Sequence, residues 1–195
     1  MFSRPGALEQ TLRDAMRRVT VIVTTGGVSM GELDLLKPTI ERSLGGTIQF
    51  GRVSMKPGKP TTFATVPFKN NAGDPETRLF FSLPGNPASA VVTSHLFLLP
   101  SLHQACGIRP PGLPQATVTL DHDFQLDKAR AEYHRVTVES RSDGLLYATS
   151  TGGQRSSKVG SLKGANALLC LPSGDGVLVK GHKAQALMMG RLVGV

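Results

Sequence analysis

The sequence predicts an α/β domain with a mostly parallel sheet, followed by a small domain built from short strands. Two observations support this order. In the first half, short apolar runs rich in β-branched residues alternate with helical patterns, which is typical of α/β proteins. In the second half the helical period disappears, and short strand patterns separated by Gly, Asp and Ser follow one another. This pattern of short strands favours a small β-barrel or a β-sandwich.

The chain opens with a predicted helix over residues 8–16, whose apolar side chains recur at helical spacing. The β-branched run 19–24 predicts a strand that is buried on both faces, as in a parallel sheet covered by helices. A glycine-containing turn over 25–31 then leads to a second predicted helix over 34–44, which ends at a glycine pair.

Three more strands are predicted between the second and the third helix of this domain. Their patterns cover 47–53, 61–66 and 78–83, and the polar stretch 69–77 is a surface loop. The apolar segment 88–99 predicts a buried helix, because little of it is polar.

A domain boundary is predicted at 106–114, where three prolines and two glycines fall within nine residues. The domains are therefore expected to cover residues 1–108 and 115–195. The second domain carries six candidate strands, at 116–120, 132–140, 145–149, 167–171, 176–180 and 184–189.

The charge of the chain favours a small anionic partner. Its 195 residues carry 22 Lys and Arg against 14 Asp and Glu, a net charge of +8, which attracts anions. The basic residues are scattered, Trp is absent and only two Tyr occur, so a nucleic-acid partner is not expected.

The sequence also predicts a cytoplasmic location. No run approaches the roughly 18 apolar residues of a membrane helix, and the first residues lack the apolar segment of a secretory signal. Cys106 and Cys170 lie in apolar surroundings without metal-ligand spacing, and we expect both to be reduced and buried, with a disulfide between them as the alternative.

Ligands of open α/β sheets bind at the carboxyl ends of the strands, where this chain has three unusual turns. In the first, 25–31, Gly26 and Gly27 let the backbone approach an anion. Equally, the glycine pair could serve only a tight strand-to-helix turn. Asp34 follows this turn and could cap the next helix, offer an oxygen ligand to Mg²⁺, or do both.

The second turn is Lys-Pro-Gly-Lys-Pro, in which Lys56 and Lys59 flank a Pro-Gly pair. It is either a charged surface turn or a fixed anion pocket. The third turn, 83–89, places Ser89 in the first turn of a helix, where free N–H groups favour an anion. A stiff turn explains the third pattern as well.

The second half adds Arg135, whose planar guanidinium group could clamp an oxyanion. Ser156 and Ser157 lie in a polar glycine-containing loop and could donate hydrogen bonds to the same anion. A solvated strand end and a flexible loop are the alternative. The five histidines show no metal-binding spacing, and neither Walker A nor G-x-G-x-x-G occurs.

Taken together and in order, five segments resemble the gephyrin and MoeA family of molybdopterin molybdotransferases. The resemblance covers nearly the whole chain, with a closer likeness to the eukaryotic members. The segments are TTGGVSMGELD, FGRVSMKPGKPTTFATV, FSLPGNPASAVVTSHLFLLPSL, AEYHRVTV and STGGQRSSKVGSLKGANALLCLP.

The resemblance implies a reaction and a set of site residues. The family inserts molybdate into adenylylated molybdopterin and releases AMP, with Mg²⁺ assisting, in the last step of molybdenum cofactor synthesis. Asp34, Lys56 and Lys59 would be catalytic, and Asp34 would also bind the metal. The residues implied to bind substrate are Gly26, Gly27, Ser29, Arg52, Pro60, Pro84, Pro87, Ser89, Arg135, Ser156 and Ser157.

The resemblance also implies a three-layer α/β domain that is incomplete at its N-terminus, followed by a β-barrel domain. Full members carry two further domains and a first strand and helix ahead of this region, and a second family carboxylate would fall near Ser3. We therefore expect the isolated chain to be catalytically poor, and a longer product to form a homodimer and to work with a molybdopterin adenylyltransferase.

Two alternatives stay open, an inactive truncated paralogue and a gephyrin-like scaffold that anchors receptors. For the scaffold, Tyr133 matches a residue of the receptor groove, but Ser173 stands where gephyrin has a proline.

Overall fold

The computed structural model describes residues 6–28 and 35–192. They fall into two compact units. Unit 1 is made of Met1–Val53 and Pro60–Gly85, and unit 2 is made of Ser54–Lys59 and Asn86–Val195.

The helices in the described ranges are α1 (Ala7–Met16), α2 (Leu36–Pro38), α3 (Pro87–Thr93) and α4 (Leu99–Ala105), with π-helical turns at Thr39–Ser43 and Ser94–Leu98 and a 3₁₀ turn at Val159–Leu162. The strands are β1 (Val21–Thr25), β2 (Thr47–Phe50), β3 (Met55–Lys56), β4 (Thr62–Lys69), β5 (Pro75–Leu83), β6 (Gln115–Leu120), β7 (Phe124–Gln125), β8 (Ala131–Ser140), β9 (Leu146–Ser150), β10 (Ala167–Leu171), β11 (Val177–Leu178) and β12 (Lys183–Met188).

Unit 1 contains a four-stranded sheet with the order β1-β5-β4-β2. Only β1 and β5 pair in parallel, whereas β4 pairs antiparallel with both β5 and β2. The described sheet is therefore mixed, not mostly parallel. The reason is the short connection 70–74 between β4 and β5, in which the Asn70 side chain accepts the backbone N–H groups of Ala72 and Asp74. So short a connection joins antiparallel strands.

One face of this sheet carries the core of unit 1. Leu12 and Met16 of α1, Ile22 of β1, Ile40 of the first π-helical turn and Phe80 of β5 are all buried and pack together. The apolar positions that predicted α1 therefore form its buried face.

In unit 2, the helical run extends over Pro87–Ala105, longer than the predicted helix over 88–99. Pro87 occupies its first turn, where a proline without an N–H group is tolerated. Pro100 does not end the run, because it lies in the first turn of α4, directly after the π-helical turn.

Five strands of unit 2 close a barrel, in the order β10-β12-β6-β9-β8 and back to β10. β3 adds to β8 in parallel, with Lys56 opposite Glu132. Alternate residues of β8, among them Val136 and Val138, are fully buried in the barrel core with Leu120. The predicted α/β domain followed by a small barrel is confirmed.

Some details differ from the sequence-based expectations. The two-residue strands β3 and β7 were not predicted, because each is too short to show alternation. Cys106 is exposed and Cys170 is half-buried, both as free thiols, so the prediction of burial is wrong for Cys106. The boundary at 108–115 stays a prediction. None of the described helices is long and apolar enough to cross a membrane.

Candidate functional site

Strand β8 presents different side chains on its two faces. Because successive side chains alternate, Glu132 and His134 lie on the face of the barrel core, where the ring of Phe124 contacts His134 edge-on with 5.0 Å between ring centroids. Arg135 lies on the opposite face, beside Leu168 of β10 in the register of the two strands.

Arg135 is fully buried, yet its guanidinium group is only partly satisfied. Its Nε donates to Ser161 Oγ at 3.0 Å. Among the described residues, its Nη1 and Nη2 have no hydrogen-bond partner, although both atoms are buried. Buried donors without acceptors are costly and rare. An anion with several oxygen acceptors would complete this arrangement, because a guanidinium group binds such oxygens through two parallel hydrogen bonds.

The loop that carries Ser161 is fixed to β8 beside Arg135. The Arg135 N–H donates to Gln154 Oε1 at 2.8 Å, and the Thr151 hydroxyl lies 3.0 Å from the Arg135 carbonyl and 2.7 Å from the Ser161 carbonyl. The Ser161 hydroxyl donates to the Lys158 carbonyl at 2.6 Å. Ser161, which is 4% exposed, therefore holds a defined position beside the guanidinium group.

Burial lowers the pKa of Arg135 below that of an exposed arginine, and the negative charge of Glu132 acts in the opposite direction. A charge taken out of water in this way is costly unless a counter-charge reaches it. The face of β8 that carries Arg135 is therefore electrostatically suited to an anion.

On the other face of β8, Lys56 has acidic partners within the protein. Its Nζ lies 3.0 Å from Glu132 Oε2 and 3.6 Å from Asp127 Oδ2. Glu132 is 5% exposed, and its other oxygen, Oε1, lies 3.1 Å from His134 Nδ1. Burial acts to raise the pKa of Glu132, but the hydrogen bonds from His134 and Lys56 outweigh it, so that the pKa lies below its usual value. Lys56 and Glu132 therefore form a charged pair.

These side chains line an open pocket of about 690 Å³ at one end of the barrel. Its walls include Lys56, Glu132 and His134 together with His122, whose ring stacks on Phe124 at 4.4 Å between centroids. Among the described residues, no group of three His, Cys, Asp or Glu side chains could hold a metal ion. This pocket is called the barrel-mouth pocket below.

The Lys-Pro-Gly-Lys turn folds tightly because of its glycine. Gly58 has φ +115°, and a Cβ atom at this position would lie 2.5 Å from Thr93 Cγ2. Glycine avoids both the strain and the clash. Lys59, next to it, is exposed and makes no hydrogen bond or ion pair with any described residue. The two lysines of the turn therefore differ, since Lys56 has acidic partners and Lys59 has none among the described residues.

Other predicted site residues of unit 2 are placed without a common contact. Ser89 is buried near the start of α3. Ser156 is half-buried and its hydroxyl accepts a hydrogen bond from Asn86 Nδ2 at 2.9 Å. Ser157 is exposed, and Pro87 begins α3. The hydroxyl that contacts Arg135 belongs to Ser161, not to Ser156 or Ser157.

In unit 1, the glycine turn lies where β1 and β5 end side by side. The Gly26 N–H donates to the Leu83 carbonyl at 3.0 Å, and a Cβ atom at Gly85 would lie 3.3 Å from Gly26 Cα. The two turns thus approach closely because both contain glycine. Gly27 is exposed, and its φ of +70° suits glycine.

Two hydroxyl groups just before these turns lack partners. Thr24 of β1 and Ser82 of β5 lie opposite each other in register, and neither buried hydroxyl has a hydrogen-bond partner among the described residues.

Three more predicted site residues are described in unit 1. Pro84 is buried, Pro60 is half-buried and Arg52 is exposed. Ser29 and Asp34 lie outside the described residues, as does Ser3.

Sequence reasoning missed Ser161 and Glu132. A signal for Ser161 existed, because it lies in the same quoted segment as Ser156 and Ser157, but the spacing did not distinguish the three serines. For Glu132 the signal was its pairing with Lys56, which needed the unpredicted strand β3.

Two sequence families match the chain. "Probable molybdopterin binding domain" covers residues 4–104, and "MoeA C-terminal region (domain IV)" covers residues 117–188.

Three curated relatives illustrate the similarity. Gephyrin of Dictyostelium discoideum is 46% identical over 94% of this chain and 27% of that protein. The molybdenum cofactor synthesis protein cinnamon of Drosophila melanogaster is 41% identical over 85% of this chain and 26% of that protein. A molybdopterin molybdenumtransferase of Bacillus subtilis is 35% identical over 91% of this chain and 39% of that protein. The chain thus spans well under half the length of each.

Two solved structures share the fold. A molybdopterin biosynthesis MoeA protein from Pyrococcus horikoshii superposes with a TM-score of 0.68 at 23% identity, over 97% of this chain and 42% of that one. A molybdenum cofactor biosynthesis protein from Pyrococcus furiosus gives a TM-score of 0.65 at 18% identity, over 95% of this chain and 55% of that one.

Proposed function

Because the chain belongs to the molybdopterin-binding domain family and carries the C-terminal region of MoeA proteins after it, we propose that it acts in molybdopterin molybdotransfer. In this reaction molybdate enters adenylylated molybdopterin and AMP is released. The single observation that carries the proposal is the buried guanidinium group of Arg135, with two unpartnered nitrogens beside the Ser161 hydroxyl.

Molybdate suits the guanidinium group of Arg135 by its charge and by the arrangement of its oxygens. It is a tetrahedral dianion, so two of its oxygens can accept hydrogen bonds from Nη1 and Nη2 of Arg135 at once. Ser161 could add a further donor by turning its hydroxyl away from the Lys158 carbonyl. Because Arg135 and Ser161 are already held in place, little ordering entropy is lost when the anion binds.

Lys59 is the second cation that we assign to the anion. It is exposed and lacks a partner among the described residues, so its long side chain is available to a dianion at little cost. Lys56 and Ser89 stay proposals for binding the anion, Arg52 and Pro60 stay proposals for substrate binding, and Ser156 and Ser157 are secondary to Ser161.

For unit 1, we assign the phosphate-bearing substrate to the turn that contains Gly26 and Gly27. Ligands bind at the carboxyl ends of parallel strands, and β1 and β5 end here in parallel. The unpartnered hydroxyls of Thr24 and Ser82 support a polar ligand at this edge. Ser29, Pro84 and Pro87 stay proposals for the same substrate.

Magnesium and Asp34 rest on the family resemblance alone. Asp34 lies outside the described residues, and no described cluster of acidic side chains fits a metal. The steps proposed for this chain are therefore the binding, orientation and charge neutralisation of substrates by its own residues. A homodimer, an adenylyltransferase partner and a cytoplasmic location are proposals on the same basis.

Equilibrium dialysis against molybdate, followed by AMP release from adenylylated molybdopterin, tests the function. We expect saturable binding of one molybdate per chain, and AMP release that depends on molybdate. Because the isolated chain is expected to be catalytically poor, the binding arm decides the proposal. A chain that is folded by circular dichroism and binds no molybdate would refute it.

A further inference from the structure

The side chain of Gln154 takes the place of a backbone neighbour of β8. Val136 of β8 lies opposite Ser150 of β9, so the next pair along the two strands is Arg135 and Thr151. In a regular antiparallel ladder, residues that pair by hydrogen bonds exchange two of them. Here the Thr151 N–H donates to the Arg135 carbonyl at 3.2 Å. The Arg135 N–H, however, donates to Gln154 Oε1 at 2.8 Å, where the Thr151 carbonyl would accept in a regular ladder.

The amide group of Gln154 has one defined orientation. Its Oε1 accepts the Arg135 N–H, whereas its Nε2 donates to the Gly152 carbonyl at 2.8 Å and to the Arg135 carbonyl at 3.3 Å. An amide presents an acceptor on one side and donors on the other. Turning it over would set an oxygen against two carbonyl oxygens and a donor against a donor. Only a side chain with both groups at this length makes all three contacts.

This contact releases the chain after Thr151 from the ladder. The loop over residues 152–161 then returns to the side chain of Arg135, where Ser161 Oγ accepts a hydrogen bond from Nε at 3.0 Å. The Thr151 hydroxyl lies 2.7 Å from the Ser161 carbonyl and ties the end of the loop to its start. The position of Ser161 beside the guanidinium group therefore depends on how firmly Gln154 fixes the start of the loop.

Loss of the Gln154 amide would act directly on Arg135. Arg135 is fully buried, so its N–H could not turn to bulk water for an acceptor, and a buried donor without one is costly. The end of β8 and the loop would have to shift to satisfy it. Such a shift moves the guanidinium group, whose Nη1 and Nη2 have no other partner among the described residues to hold them.

We propose that Gln154 is a positioning residue that acts through Arg135: its side chain completes the ladder of β8 and so holds the guanidinium group and the Ser161 hydroxyl together as one anion-binding unit. A fork that binds two oxygens at once depends on its direction as well as on its charge. The inference rests on the proposed function for its molybdate arm only, since the contacts between Gln154 and Arg135 form without any ligand.

Hydrogen exchange measured by NMR tests the positioning without any ligand. Gln154→Met keeps the length of the side chain and lacks the amide. In this variant we expect the backbone N–H and the Nε–H of Arg135 each to exchange at least about tenfold faster than in the wild type, because the first loses its acceptor and the second its fixed partner Ser161. Gln185→Met is the matched control. Gln185 is exposed on β12 and donates to Thr117 Oγ1 at 3.1 Å, so both exchange rates of Arg135 should stay unchanged.

Molybdate affinity per folded chain, measured by equilibrium dialysis, tests the consequence. Gln154→Met should bind molybdate about tenfold more weakly than the wild type. In the Arg135→Lys background, which has no fork to direct, the same substitution should weaken binding less than about twofold. A merely structural role for Gln154 predicts equal losses in both backgrounds, and equal losses would overturn the proposal.

The two arms separate the inference from the proposed function. If neither the wild type nor any variant binds molybdate, the proposed function fails, and the exchange rates of Arg135 still decide whether Gln154 positions it. Should Gln154→Met fail to fold, Gln154→Asn keeps the amide but withdraws it by one methylene group, and intermediate exchange rates are expected. An Arg135 Nε–H that exchanges at the wild-type rate in a folded Gln154 variant contradicts the proposal.

Discussion

Two arginines in the part of the chain that the structure describes are buried, one in each unit, and their hydrogen-bonding groups are satisfied to very different degrees. Arg78 in unit 1 is 6% exposed. Its Nε donates to the Met16 carbonyl at 2.7 Å, its Nη1 pairs with Glu76, and its guanidinium carbon lies 4.0 Å from the ring centroid of Phe68. Arg135 in unit 2 is fully buried, and two of its nitrogens have no partner among the described residues.

This difference shows how a structural cation can be distinguished from a ligand-binding one. Arg78 connects α1 to β5, and the protein itself supplies its buried guanidinium group with a carbonyl acceptor and a carboxylate. Among the described residues, Arg135 has a hydroxyl acceptor and no carboxylate in hydrogen-bond contact, so its charge is buried without a directly bonded counter-charge. Lys56 belongs with Arg78 in this respect, since Glu132 and Asp127 neutralise it.

Replacing Arg135 gives the largest expected effect. Arg135→Met should reduce molybdate affinity at least about hundredfold, because a bidentate charged contact is lost. Its free energy of unfolding should be equal to that of the wild type or higher, since an unpaired buried charge disappears. Arg135→Lys keeps the charge without the fork and should recover only part of the affinity. Equilibrium dialysis and urea unfolding measure both quantities, and binding within threefold of the wild type would contradict the assignment.

Arg78→Met should show the opposite pattern. We expect its free energy of unfolding to fall by about 2 kcal/mol, because the Met16 carbonyl and Glu76 lose a charged donor. Its molybdate affinity per folded chain should be unchanged. The same two measurements serve, and loss of molybdate binding in a folded Arg78→Met protein would remove the contrast between the two arginines.

Breaking the ion pair between Lys56 and Glu132 gives the next largest effect, and this effect depends on pH. Glu132→Gln should lower the free energy of unfolding by about 1.5 kcal/mol at pH 7. The folded-state pKa of Glu132 is lowered from its ordinary 4.5, so its stabilising contribution is present above pH 4.5 and is lost as the pH falls through the folded-state value. Urea unfolding from pH 7 to pH 3 should therefore show the two proteins converging at the acid end. A difference that stays constant with pH would argue against the ion pair.

The smallest effect concerns the serines. Ser161→Ala should weaken molybdate binding about tenfold, since it removes a hydrogen-bonding group beside the anion and leaves Arg135 Nε without an acceptor. Ser156→Ala, whose hydroxyl bonds Asn86 instead, should stay within twofold of the wild type. Dialysis of the two variants side by side distinguishes them, and a reversed order would return the role to Ser156.

Most of the fold could be predicted because the signals are local. The barrel strands carry clear alternation, and α1 carries a clear helical period. The apolar run 19–24 predicted a strand buried on both faces of a parallel sheet, and this prediction is wrong, because β1 buries Ile22 on one face and leaves Val23 43% exposed on the other. The strand β3 has only two residues, so its pairing with β8 depends on contacts between residues far apart in the chain.

The site residues also divide into those that the sequence could predict and those that it could not. Arg135 could be predicted as an anion ligand from its chemistry and its family resemblance, and its lack of internal partners supports that prediction. Lys56 looked equivalent to Lys59 in the sequence, because the turn is symmetric in charge. Their difference arises from Glu132 and Asp127, which lie more than 70 positions further along the chain, and no local pattern reports such a pairing.

The position of a bound heavy oxyanion tests the central claim most directly. Crystals of the chain soaked in tungstate, a tetrahedral dianion like molybdate, would locate the metal by anomalous scattering. The account predicts a peak whose oxygens lie about 3 Å from Nη1 and Nη2 of Arg135, next to Ser161. A peak among Lys56, Glu132 and Asp127 in the barrel-mouth pocket, with no oxyanion bound to the guanidinium group of Arg135, would contradict it.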